Sequence, residues 1–160
     1  MEIVKGLKKK QFSYKELVKE VSQKVAKLNP ELNAFVTFET DQPIKDEAPI
    51  LKDEQPLSGL PFPLKMLGQE KQGWLATSGS KLFQTHRSSR NSNFVSQVEK
   101  IGLIPLGQTN APEFGFKNIT DPQLYGPAKN PWNLAHSPGG SSGGAAAVVA
   151  SGILPIAGAS

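Results

Sequence analysis

The sequence predicts an α/β fold with helices alternating with short apolar strands. Two observations carry this reading. Capping residues open stretches whose apolar side chains recur at helical spacing, and brief apolar runs bounded by glycine or proline follow them. No internal repeat is visible in the 160 residues.

Ser13 with Glu16 three positions later is a capping box. After it, Leu17, Val18, Val21, Val25 and Leu28 form one stripe, with Lys15, Lys19, Lys24 and Lys27 mostly elsewhere. The pattern predicts a helix over about 13–28, stopped by Asn29-Pro30. Asn33–Phe38 reads as a short strand, and 42–58, rich in Pro, Asp, Glu and Lys, as a surface connection. Core segments resume at about residue 59. Gly59–Lys65 reads as extended, and its two prolines favour a sheet edge. Trp74–Ser80 is a turn-rich loop. Asn91 or Ser92 caps a helix carrying Phe94, Val95, Val98 and Ile101, with Gly102 at its end. Leu103–Gly107 reads as a buried strand, Thr109–Pro138 as a long irregular stretch, Ala145–Ala150 as a helix of small side chains, and Ile153–Ala157 as another buried strand.

Composition narrows the chemistry. There is no cysteine, so disulfides, thiolate nucleophiles and cysteine-held metal centres are excluded. No cofactor-binding and no metal-ligating residues are identified. A net charge of +4 raises the question of nucleic acid. Many of the lysines lie in the first thirty residues, however, where they read as the solvated face of a helix, and no nucleic-acid-binding motif accompanies them. Met1–Lys10 is basic without an apolar stretch behind it, and the run at Ala145–Ala150 is too short to span a bilayer. The expectation is a cytoplasmic protein with no nucleic-acid and no membrane partner.

The most unusual local sequence is Gly139–Gly144, GGSSGG. A flexible linker would explain its composition, but not the compact Ala/Val helix and apolar run directly behind it. A phosphate cradle at a helix N-terminus lacks the lysine of a P-loop. A loop presenting a serine hydroxyl to a reacting centre is the third reading, and it requires a base. His86 lies in a polar run. His136 is near the loop, but the G-x-S-x-G elbow of the histidine-based hydrolases is missing. Lys65 stands apart from the other lysines because Leu60, Phe62 and Leu64 precede it and Met66 and Leu67 follow. It is either a side chain snorkelling from a strand end or a base kept neutral by burial.

Several segments, in order, carry a family resemblance: GLPFPLKML (59–67), TSGSKLF (77–83), LGQTNAPEFG (106–115), GPAKNPWN (126–133) and SPGGSSGGAAAVVASG (137–152). Together with LNPELNAFV (28–36) they resemble the amidase-signature enzymes over nearly the whole chain. The resemblance implies the N-terminal part of that fold, a mixed sheet flanked by helices, and amide hydrolysis by a Ser–cis-Ser–Lys triad without cofactor or metal. It implies Lys65 as base and Ser141 as the bridging serine, preceded by a cis peptide bond. Gly139, Gly140, Ser142, Gly143 and Gly144 would support the loop or substrate, while Asn110, Glu113 and Phe114 match a motif near the site, in support or in substrate contact.

Two departures accompany it. Met66 stands where the family usually has aspartate. The family's nucleophilic serine follows the bridging serine by about 24 residues, which falls beyond Ser160, so these residues alone are expected to be inactive. The implied partner of the full-length enzyme is a small-molecule amide, and a truncated chain is expected to expose apolar surface and self-associate. A transfer-RNA-dependent amidotransferase A subunit, or a non-catalytic remnant acting by interaction, are the alternative readings.

Overall fold

A computed structural model describes residues 2–38 and 55–160. Its helices are α1 (Glu2–Lys8), α2 (Tyr14–Leu32), α3 (Asn93–Lys100) and α4 (Gly143–Ala150). Three strands, β1 (Phe35–Thr37), β2 (Pro61–Lys65) and β3 (Ile104–Thr109), form a mixed sheet in the order β1-β3-β2. In it β1 runs antiparallel and β2 parallel to the central β3. The parallel pair is joined through α3, the crossover that parallel strands need.

The capping box forms as expected. Ser13 Oγ accepts from Glu16 N at 3.1 Å, and Glu16 Oε2 accepts from Ser13 N at 2.7 Å. The helix it opens does not stop at Asn29-Pro30 but continues to Leu32. A proline removes a single N–H, which costs little in a last turn that Asn33 then closes. Asn33 takes a left-handed conformation (φ 46°) and its N–H bonds Asn29 O. The Asn29 side chain meanwhile accepts from Phe35 N and donates to Phe35 O, fixing the step from helix to strand. Ser92 is the cap of α3, its Oγ accepting from Val95 N. Val95 and Val98 are buried beneath that helix, whereas Phe94 and Ile101 remain partly exposed. The helix at 2–8 is an element that the apolar pattern does not announce. The surface connection expected over 42–58 lies largely outside the described residues.

The strand expected over Ile153–Ala157 does not form. Ile153 and Leu154 are buried, which accounts for their apolar pattern, but Pro155 has no N–H to give to a ladder. The segment instead approaches the outer edge of β2 one contact later, where Gly158 N donates to Pro63 O at 2.9 Å.

Two apolar clusters hold the layers. One joins α2, β1 and α4 through Leu17, Val21, Val25, Leu32, Phe35, Ala147 and Val148. The other joins β2 to α3 through Leu60, Phe62, Leu64, Val95 and Val98. Side chains alternate along a strand, so Phe62 and Leu64 turning towards α3 sends Lys65 to the opposite face. That face carries the glycine-serine loop. Among the described residues no helix is long and apolar enough to cross a membrane.

Candidate active site

Lys65 is the last residue of β2 and is only 1% exposed. Its backbone N–H donates to Gln69 Oε1 at 2.8 Å, and Gln69 Nε2 reaches Ala159 O at 3.4 Å. The buried glutamine thus clips the strand end to the segment leading to Ser160. The lysine Nζ lies 2.8 Å from Ser141 Oγ, 2.8 Å from Ser160 Oγ and 3.4 Å from Ser160 O. Burial away from water disfavours the ammonium form and holds the Lys65 pKa below the ordinary lysine value. A neutral amine can accept the Ser141 proton, and that is the geometry of a proton relay.

The loop that delivers Ser141 is built by close approach. A Cβ on Gly144 would sit 2.3 Å from Asn110 N and 2.5 Å from Ala34 O, and one on Gly140 would sit 2.8 Å from the carbonyl carbon of Asn118. Only glycine fits at either position. The Gly140–Ser141 peptide bond is cis. Thr120, fully buried, ties both ends of the loop: its Oγ1 donates to Gly139 O at 2.8 Å and accepts from Gly143 N at 3.2 Å. Asn110, also buried, holds the start of α4 through its main-chain carbonyl, which accepts from Gly144 N, and its Nδ2 donates to Asn33 O and Gly126 O.

Ser142 Oγ does not cap α4. It accepts from Ser160 N at 3.1 Å and donates to Ser160 O at 3.0 Å, so the second serine of the pair holds the segment that faces Lys65. Met66 is buried on the far side, its Sδ accepting from Thr77 Oγ1 at 3.2 Å. Thr77 Oγ1 is in turn 2.9 Å from Tyr125 OH. The thioether thus sits where a neutral acceptor suffices.

Lys65, Ser141, Ser142 and the glycines come together as one site. His136 lies in an exposed turn whose backbone pairs with Asn130 and Asn133, and His86 packs its ring against Phe83. Gln69, Thr120 and Ser160 carry no signal in the sequence. Each acts through a partner far along the chain, and none lies in a local pattern that distinguishes it from a surface residue.

A family profile for amidases matches residues 16–160. The chain belongs to the amidase family. It is 39% identical over 157 residues to a lipoamidase of Enterococcus faecalis, a match covering 98% of this chain and 22% of that protein. It is 37% identical over 161 residues to the A subunit of the glutamyl-tRNA(Gln) amidotransferase of Psychrobacter cryohalolentis, covering 98% of this chain and 32% of that one. Among solved structures, a 6-aminohexanoate cyclic dimer hydrolase in complex with substrate superposes with a TM-score of 0.89 at 33% identity, over 98% of this chain and 32% of that chain. The chain therefore spans about a third or less of the length of these relatives. Its mixed sheet with flanking helices is that family's α/β fold.

Proposed function

We propose that the polypeptide carrying this chain hydrolyses carbon–nitrogen amide bonds, with Lys65 as base and Ser141 as the bridging serine. The observation that carries this reading is a lysine buried to 1% exposure with its Nζ 2.8 Å from a serine hydroxyl on a glycine-framed loop. Neutral Nζ takes the Ser141 proton as Ser141 Oγ takes that of the nucleophilic serine, whose oxygen bonds the amide carbonyl carbon. The proton then returns through Ser141 to the leaving nitrogen as the C–N bond breaks. Water enters by the same relay and releases the acid. The nucleophile implied by the family resemblance is supplied from outside the 160 residues, and the substrate is a small-molecule amide.

Labelling with a fluorophosphonate tests this. The polypeptide extending through the nucleophile is expected to be labelled, and residues 1–160 alone are not. Labelling that persists undiminished in Lys65→Ala would overturn the assignment of the base. Similarity to amidotransferase A subunits favours a second reading, release of ammonia from glutamine within a larger assembly. Glutaminase activity that requires partner subunits, without hydrolysis of simple amides, would select it.

A further inference from the structure

Three phenylalanine rings cluster around the turn at Gly115 that packs near Ser141, and none of them belongs to either apolar cluster. Phe83 and Phe114 meet edge to face with centroids 6.1 Å apart, and Phe114 and Phe116 follow at 6.3 Å. All three are exposed, Phe116 to 87%. Contiguous aromatic surface left in water marks a binding face more often than a scatter of single residues does. Two features tie this one to the relay. A methyl group placed on Gly115, between Phe114 and Phe116, would lie 3.8 Å from Ser141 Oγ, and the backbone of Lys117 to Ile119 packs directly against Gly140. Phe114 also holds a left-handed backbone (φ 51°), a conformation a bulky aromatic residue rarely adopts. The chain thus accepts local strain in the very turn that brings the rings to the rim of the site.

We propose that Phe83, Phe114 and Phe116 form a shelf for the apolar group of the substrate, so that the site takes amides bearing an aromatic or extended alkyl substituent in preference to small polar amides. This rests on the hydrolase reading above for its position, but not for its test. Phe116 is 87% exposed among the described residues, so its replacement removes no core packing of this chain, and a thermal melt of the variant checks the fold. In the polypeptide that carries this chain, Phe116→Ala is expected to raise the KM for N-phenylhexanamide about tenfold with kcat held within about twofold, the scale of losing one buried apolar contact. The preference for N-phenylhexanamide over acetamide, as a ratio of kcat/KM values, falls by the same factor, and Phe116→Leu restores most of it. Binding of N-phenylhexanamide to the Lys65→Ala protein, measured by calorimetry, weakens about tenfold when Phe116→Ala is added. If no amide is turned over but this binding difference holds, the shelf stands and the hydrolase reading fails. An unchanged KM in Phe116→Ala, whether because the substrate lies elsewhere or because the rest of the polypeptide covers the rings, overturns the shelf. Absence of both turnover and binding overturns it as well.

Discussion

Lys65→Ala is expected to lower kcat for the proposed amide hydrolysis by about 10²–10⁴-fold, the usual contribution of a positioned base. The lysine is the only basic group hydrogen-bonded to Ser141 among the described residues, and no imidazole stands in reserve: His86 packs against Phe83 and His136 is exposed. In the proposed relay Lys65 and Ser141 act in series, so Ser141→Ala is expected to cost a similar factor. The double variant should then fall little below either single one. Additive losses would mean that the two side chains contribute separately. Packing is a separate matter, since Lys65→Ala leaves a hole at the end of β2. Lys65→Met keeps much of the side-chain volume and removes only the amine, so it should be equally inactive while remaining folded by thermal melting. An inactive Lys65→Ala beside an active Lys65→Met would assign the lysine a packing role.

The largest loss of stability is expected at Gly144. Its missing Cβ would lie 2.3 Å from Asn110 N, 2.5 Å from Ala34 O and 2.7 Å from Asn110 O. All three are backbone atoms of the segments that flank β1 and β3, and no side-chain rotation relieves the overlap. Gly144→Ala therefore forces α4 away from the sheet and breaks the Gly144 N to Asn110 O bond, at a cost of about 3 kcal/mol or more. On the same helix, Ala146 is exposed, and Ala146→Gly should cost only about 1 kcal/mol through helix propensity. Denaturant melts of the two variants check the comparison. Equal destabilisation would show that the close approach of α4 to the sheet contributes nothing particular.

Much of this arrangement is legible in the amino-acid sequence alone. The helix starts at Ser13 and Ser92 can be read because a cap and its partner lie within three residues of each other. Lys65 stands out because five apolar residues flank it, a pattern that leaves snorkelling and burial both open and that the structure resolves as burial. The readings that fail are those where distant contacts decide. Pro30 forbids one hydrogen bond, but Asn33, held by Tyr125 O and Pro127 O as well as by its own helix, closes the turn beyond it. Ile153 and Leu154 carry a strand's apolar pattern, yet they are buried against helices and have no ladder to join. Thr120 and Gln69 look like ordinary polar residues. Their importance appears only once the loop and the strand end they hold have been brought beside them.

The relay depends on Lys65 being an amine that gives up its proton readily. Burial lowers its pKa, so in the folded protein fewer protons are bound than in the unfolded chain between that lowered value and about 10.4. Across this window stability rises with pH, because keeping the ammonium buried below it is the costly state. The rate of the proposed hydrolysis is expected to rise through the lowered pKa in the same direction. Titration of the Lys65 side chain by NMR, with the resonance assigned through Lys65→Met, measures this directly. A folded-state pKa below about 10.4 that moves on Ser141→Ala is the predicted result. A lysine that titrates at the ordinary value and ignores Ser141 would contradict the relay.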